Sequence, residues 1–411
     1  MGESRFATRA SRTVARCMFK TGVFVAAIVA AGCAGTAQED VDLESTTSAL
    51  NSYGWRSWSS NSPTSTNALS VPAVCPAHVR STPGISGYIL VGRDLTTNRY
   101  MLAEYGKLQP WRNWTNISSS TVTFNSKPVC ASLDGIDLED PQYWTEQIAV
   151  VGKRSSDNRY YIQIMKVKGN SDLTVAPPVP TTSLAWAQIS TSSYASAPFV
   201  LVHESNYIVV GGRRSDNKIY VHVNPLQFNQ TTGKFQFNNS TWEAALTAPA
   251  LPTGWTATGD PTIGHIGNYV GEVQILTRAQ NGQQFKVFSL WMFVPWRMVG
   301  TSWNELTTGS VAPASDLAME YEKRLWPNPE TTVYYRGTDG RVYNTTGDGW
   351  TWEPWSLVDN VNDPNDNYTD FIAAPGVLGS SEMEGGHIVA IRRNSPTNQY
   401  YTASPVPGYG Y

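Results

Sequence analysis

Six times along the chain a β-rich apolar run ends in a basic residue, crosses a short polar turn and reaches an aromatic seven residues later. VGRDLTTNRY, Val91 to Tyr100, is the first copy; the others start at Lys153, Arg213, Arg278, Arg336 and Arg393 and reach Tyr160, Tyr220, Phe285, Tyr343 and Tyr400. The basic anchors are 60, 60, 65, 58 and 57 residues apart. A period of this length is the signature of a chain built by repeating one supersecondary unit.

Each repeat offers four strand signals in one order. The first follows a proline (Pro72, Pro128, Pro198, Pro261, Pro313 and Pro375), the second runs into the anchor, the third carries the aromatic, and the fourth is marked by Trp114, Trp186, Trp242, Trp296 or Trp355. Four strands in about 60 residues, joined by Asn, Asp, Gly and Ser turns, predict one antiparallel blade of a propeller. The two ends of the domain complement each other. WRSW, Trp55 to Trp58, is a tryptophan strand with nothing before it, and the last repeat has no tryptophan strand after it. The expected fold is therefore an all-β, six-bladed β-propeller of four-stranded blades, closed by the N-terminal strand as the outermost strand of the last blade. Seven blades are the alternative, a degenerate one hiding in a long interval such as Trp114 to Trp186.

The N-terminus reads as processing and tethering. Arg5, Arg9, Arg12, Arg16 and Lys20 precede an apolar run, Val23 to Ala31, too short to span a bilayer, so residues 1–32 are expected to be a signal peptide. Ala30-Ala31-Gly32-Cys33 resembles a bacterial lipobox, which implies lipidation of Cys33; ordinary cleavage near Thr36 or Ala37 is the alternative. Residues 33–51, with Glu39, Asp40, Asp42 and Glu44, form an acidic tether, and residues 52–411 the single propeller domain. The protein is expected to be exported, as an outer-membrane or cell-surface lipoprotein anchored through Cys33, or else secreted.

Composition narrows the partners. The formal charge is −3, no basic run lies beyond the leader, and nucleic acid is not expected. Fifteen Trp and twenty Tyr against 15% charged residues describe an aromatic, Thr/Asn-rich surface. Cys75 and Cys130 follow matching prolines in successive repeats; an exported chain allows a disulfide between them, two buried thiols being the other reading.

W-x-x-W, a proline strand, and a hydrophobic run into R-x-x-D-G/N-x-x-Y together resemble the blades of bacterial propeller lectins of the Photorhabdus type and of fungal fucose-binding lectins. Thr331 to Leu357 is the copy most similar to them, and the resemblance covers Ser52 to Tyr411. The fucose lectins have six blades and the Photorhabdus type seven, so the count matches the former. The resemblance implies a lectin-like, carbohydrate-binding protein with glycans or glycoconjugates as partners.

The candidate ligand residues are Arg93, Arg213, Arg278 and Arg336, whose guanidinium groups suit sugar hydroxyls or carboxylates, with Trp111, Trp303, Trp350 and Trp352, whose rings suit the C–H face of a pyranose. The competing reading makes the anchors builders: a basic residue ending every second strand bonds turn carbonyls or stacks on a blade aromatic.

Catalytic patterns are poor. The histidines His78, His203, His222, His265 and His387 form no H-E-x-x-H, there is no G-x-S-x-G, and the sialidase S-x-D-x-G-x-T-W box is absent. No catalytic residue is assigned, and binding is favoured over catalysis. A sialidase-like or other glycoside-hydrolase propeller, or a cell-surface interaction platform, are the alternatives; acids such as Asp134, Asp137, Glu320 and Glu384 would have to supply a carboxylate pair. No metal or cofactor is expected. Calcium is the one cation left open, on the oxygen-rich segment Asp359 to Asp370, which lacks the glycine and terminal glutamate of an EF-hand loop.

Overall fold

The computed structural model describes residues 69–70, 72–78, 86–106, 114–118, 121–133, 147–166, 186–203, 206–231, 234–237, 242–266, 272–294, 297–306, 311–322, 330–339, 342–349, 351–357, 368–374, 389–394 and 400–403. All belong to one compact unit, Ala49–Tyr411. The described elements are all strands, in antiparallel sheets that follow one another along the chain.

Blade 1 is β1 (Ala73–His78), β2 (Ser86–Arg93), β3 (Tyr100–Gly106) and β4 (Thr115–Asn116). Blade 2 is β5 (Val129–Ser132), β6 (Gln147–Lys153), β7 (Tyr160–Lys166) and β8 (Ala187–Gln188). Blade 3 is β9 (Phe199–His203), β10 (Tyr207–Arg213) and β11 (Ile219–Asn229), with β12 (Lys234–Phe237) and β13 (Leu246–Thr247) both on β11. Blade 4 is β14 (Thr256–His265), β15 (Glu272–Asn281) and β16 (Gln284–Phe293), with β17 (Met298–Val299) and β18 (Asn304–Leu306) on β16. Blade 5 is β19 (Ala318–Glu322), β20 (Glu330–Arg336), β21 (Val342–Gly347) and β22 (Ser356–Leu357). A last sheet holds β23 (Tyr368–Ala374), β24 (Val389–Asn394) and β25 (Tyr400–Ala403).

This is a β-propeller, with one correction. Five blades are complete, where six or seven were expected. The sixth sheet has three strands, and the Trp55–Trp58 segment expected to complete it lies outside the described residues. The first strands of successive sheets pack side by side in the order β1, β5, β9, β14, β19, β23, and β23 packs back against β1. The hairpins between second and third strands therefore gather at one mouth of the central channel.

The core lies between blades, which explains the near-continuous apolar second strands. In β6, Ile148 and Val150 face blade 1, in a cluster with Ile89, Val91 and Tyr100. Ala149 and Val151 face blade 3, in a cluster with Ile208 and Val210. A strand buried on both faces needs apolar side chains at every position, not at alternate ones.

Register corrects three details of the repeat. Arg93 and Lys153 pair with Tyr100 and Tyr160, but Arg213 pairs with Ile219 and Arg336 with Val342. Those turns are one residue shorter, and a one-residue slip moves Tyr220 and Tyr343 to the opposite face. In blade 4, Val287 faces Leu306 as Tyr100 faces Ile117, so Trp303, not Trp296, stands where Trp114 stands in blade 1. In blade 5 the position of Pro72 and Pro128 is held by Leu317; Pro313 lies earlier, bridged to Gly337, and Pro375 follows β23.

Cys75 and Cys130 are joined in a disulfide between β1 and β5, with 5.9 Å between their Cα atoms. It staples the first two blades at their innermost strands.

Candidate functional site

The hairpin mouth is built in three layers. The lowest is a seam of serines. Ser70, Ser126, Ser196 and Ser315 each stand two residues before the proline position, and each Oγ accepts the backbone N–H of its own blade's anchor, from Arg93 (3.0 Å), Lys153 (3.1 Å), Arg213 (2.9 Å) and Arg336 (2.9 Å). This seam went unread in the sequence, although the serines recur as S-x-P in SVP, SKP and SAP. Blade 4 carries Gly259 there, at φ +75°, where a Cβ would stand 2.5 Å from Asp316 Oδ1 and 3.2 Å from the Arg278 guanidinium. Glycine leaves room for that cation and adopts the left-handed backbone without strain.

The anchors themselves reach into the next blade. Arg93 NH1 donates to Phe124 O (3.2 Å), Lys153 Nζ to Ala195 O (3.0 Å), and Arg278 NH1 to Pro313 O (2.9 Å) and Ser315 O (3.4 Å). Arg213 NH1 instead donates to Asn217 Oδ1 (3.2 Å) in its own turn. These are inter-blade staples, which is the builder reading. Burial lowers the Lys153 ammonium; Arg213 and Arg93 push the same way against the pull of Asp260.

The second layer crosses the channel. Lys127 in blade 2 places Nζ 2.6 Å from Asp316 Oδ2 in blade 5 and 3.3 Å from Asp260 Oδ2 in blade 4. The Asp260 amide donates to Asp316 Oδ1 (2.8 Å), and the Ala197 amide of blade 3 to Asp260 Oδ1 (2.7 Å). Four blades thus meet at equivalent positions of their first strands. Burial alone would lower the Lys127 ammonium, but the two carboxylates hold it above its ordinary value. Burial would raise Asp316, and Lys127, the Asp260 amide and Arg278 hold it low.

The third layer is the outward rim. The residue after the anchor, Arg154 in blade 2 and Arg214 in blade 3, lies over a tyrosine ring on the face opposite the staples: Arg154 is 4.1 Å from the Tyr161 centroid and Arg214 is 3.7 Å from that of Tyr220. Each tyrosine donates to the aspartate of its turn, Tyr161 to Asp157 (3.1 Å) and Tyr220 to Asp216 (2.6 Å). Tyr343 and Asp339 repeat the bond in blade 5 at 2.7 Å. Tyr161 also donates to the exposed Gln188 (3.0 Å). Burial works against the Asp157 charge, yet Arg154, the Arg159 amide and Tyr161 hold its carboxyl below the usual range. Beneath Arg214, Tyr194 bonds His222 Nε2 at 2.5 Å, and His222 Nδ1 lies 3.3 Å from Glu243 O; burial brings the imidazole down to about 4.

The other sequence candidates fall elsewhere. Arg336 is half-buried in the serine seam. Trp303 is 9% exposed in the blade 3–4 core and donates Nε1 to Pro249 O (2.8 Å). Trp352 packs against the blade 4–5 core. Trp111, Trp350, Cys33 and most of the Asp359–Asp370 segment lie outside the described residues. Among the described residues no cluster of His, Cys, Asp and Glu is arranged to hold a metal.

Hydrolysis of a glycosidic bond needs an acid and a second carboxylate roughly 5–9.5 Å apart. Of the acids described at the mouth, Asp260 and Asp316 both contact Lys127, and Asp157 and Asp216 are bonded within their own turns. Glu272, whose carboxyl burial raises, starts β15, six residues from Arg278 and so about 20 Å from the mouth.

No family model matches the chain, and no curated protein matches it in sequence. Solved structures do. A lectin of Aleuria aurantia in complex with α-methyl-L-fucoside is 16% identical, with a TM-score of 0.51 over 84% of this chain and 95% of that one. An α-L-arabinofuranosidase of Fusarium graminearum in complex with arabinobiose is 10% identical, with a TM-score of 0.52 over the same 84% and 95%. The BP39L lectin of Burkholderia pseudomallei is 13% identical, with a TM-score of 0.49 over 82% of each chain. At these identities the first two likenesses, with TM-scores above 0.5, show the propeller fold alone.

Proposed function

We propose that this protein is an exported carbohydrate-binding propeller that recognises glycans at the outward rim of the hairpin mouth. The observation that carries the reading is the repeated cluster of a guanidinium over a tyrosine whose hydroxyl is bonded to a turn aspartate, with Arg154, Tyr161 and Asp157 in blade 2 and Arg214, Tyr220 and Asp216 in blade 3. Such a cluster presents donors, acceptors and an apolar ring edge in a fixed geometry, as polyhydroxylated ligands require. Asp216 and Gln188 are exposed and Tyr220 is half-exposed, so a sugar can reach them. The Aleuria lectin, a propeller bound to a fucoside, is consistent with this use of the fold, although fold alone assigns no function.

The finer architecture belongs to the same proposal. Residues 1–32 direct export and Cys33 carries the lipid.

A glycan array on residues 52–411 tests the reading, with Tyr220→Ala and Asp216→Ala run beside the parent. The expected result is binding that falls at least about tenfold in either variant. No glycan bound by a chain with an intact β-sheet circular dichroism spectrum overturns the carbohydrate reading.

A further inference from the structure

The anchor-and-turn segments 93–99, 153–159 and 213–218 stand side by side at the hairpin mouth of blades 1–3. They hold eight basic residues (Arg93, Arg99, Lys153, Arg154, Arg159, Arg213, Arg214 and Lys218) against Asp94, Asp157 and Asp216. The three turns thus carry a formal excess of five positive charges, eight less three, in a chain that is formally −3. Asp260 draws on Lys153, and Asp216 on Arg214 and Lys218, so nearby acids offset part of that excess. Asp157 is shared by Arg154, which bonds both its oxygens, and Arg159, 3.9 Å away. Arg93, Lys153, Arg213, Arg214 and Lys218 form no ion pair among the described residues. The Asp216 carboxylate is engaged by the Tyr220 hydroxyl and the Lys218 amide instead. The staples of Arg93 and Lys153 end on neutral carbonyls and leave both charges in place.

Like charges packed along one rim repel, and a surface that tolerates them favours an anionic ligand that brings the missing counter-charge. The rim clusters offer planar guanidinium groups, which match the fork of a carboxylate, beside tyrosine edges that match a sugar ring.

We propose that the hairpin mouth of blades 1–3 is a binding site for acidic polysaccharide, a carbohydrate whose sugars carry carboxylates. This rests on the carbohydrate reading above and narrows it to a ligand class. The carboxylates face Arg159, Arg214 and Lys218 at the rim, and Arg93, Lys153 and Arg213 below supply long-range attraction without direct contact.

The test presents the full chain to immobilised polygalacturonate, to neutral dextran, to duplex DNA and to phosphatidylglycerol vesicles, at low and high salt. Polygalacturonate alone is expected to bind, at least about tenfold more weakly when salt rises from roughly 50 mM to roughly 500 mM, because screening shortens the reach of the rim charges. Lys218→Gln with Arg159→Gln, at the exposed end of one turn and the half-buried end of the other, is expected to weaken binding about tenfold with an unchanged unfolding midpoint. Equal, salt-insensitive binding of dextran overturns the acidic-ligand inference and leaves the carbohydrate reading standing. Binding of DNA or vesicles as tightly as polygalacturonate overturns the inference as well, by showing a general polyanion surface. Failure of both saccharides overturns the acidic-ligand inference, and the carbohydrate reading is then decided by the glycan array.

Discussion

Replacing Gly212 by alanine should destabilise the ring far more than an ordinary Gly→Ala change in a strand. The position precedes the anchor Arg213, and an added Cβ would overlap the Tyr160 hydroxyl of blade 2, with Tyr160 Cζ at 2.8 Å and Ser196 Oγ at 2.9 Å. Tyr160 cannot step aside. It is fully buried, stacked on Tyr194 at 3.8 Å between centroids, and its hydroxyl donates to Ser196 O and Ala197 O at 3.2 Å. Overpacking costs about 1–3 kcal/mol. Stranding the hydroxyl costs about 1–3 kcal/mol more, so the loss expected for G212A is about 2–6 kcal/mol, read from the urea midpoint and slope. The same geometry supplies its own controls. Gly152 meets the Tyr100 hydroxyl in the same way and should behave alike, whereas a Cβ on Gly92 meets Leu69 and Trp114 at an ordinary 3.6 Å, so G92A should cost under about 1 kcal/mol. Tyr160→Phe removes the clashing atom, and a double-mutant cycle should return at least about 1 kcal/mol of favourable coupling. G212A within about 0.5 kcal/mol of the parent, or a cycle without coupling, would refute the claim that this glycine exists to seat the neighbouring blade's tyrosine.

Three further outcomes follow from the same contacts. Opening the Cys75–Cys130 disulfide, 55 residues apart, by C75S/C130S should cost about 2–4 kcal/mol by the loop-entropy model, measured as a drop in urea midpoint under non-reducing conditions. Lys127→Met leaves Asp260 and Asp316 together without their cation and should cost about 1–3 kcal/mol at pH 7. Because Lys127 holds the folded Asp316 below its ordinary value, that stability is present at neutral pH and lost as pH falls through the folded value, so the deficit of the variant should shrink in acid; a deficit independent of pH would contradict the assignment. His222 acts in the same direction at higher pH: its folded value of about 4 lies below the free imidazole, so stability should fall by about 1.4 kcal/mol per pH unit as pH drops from about 6.5 toward 4, and His222→Gln should flatten that slope.

Much of the blade was legible before any coordinates. The apolar run, the polar turn and the spacing of the anchors locate the second and third strands of each blade, because turn chemistry and strand alternation are local properties. Reading the anchors as builders of the blade likewise needed only their recurrence, whereas the reach of Arg93, Lys153 and Arg278 into the next blade is seen only in the structure. What misled was the assumption that equal spacing means equal register. Tyr220 stands seven residues after Arg213, as Tyr100 stands after Arg93, yet the shorter turn gives the inter-blade place to Ile219. Trp303 looked like a loop aromatic because Trp296 fitted the spacing better, and only pairing with β16 shows which tryptophan fills the core. The S-x-P serines were visible and unread, since their partner is a backbone amide about 20 residues away.

By itself, the sequence of this protein determined the all-β repeat and its hairpins, each of which follows from residues within one unit of about 60. The tertiary structure decided which face each tyrosine takes, that Arg154 and Arg214 rather than the anchors form the outward rim, and that Lys127 meets an aspartate 189 residues away across the channel. Those outcomes depend on strand register and on how blades close around an axis. A shift of one residue reverses a face, and closing the ring brings distant charges within hydrogen-bond reach, so neither carries a local signature.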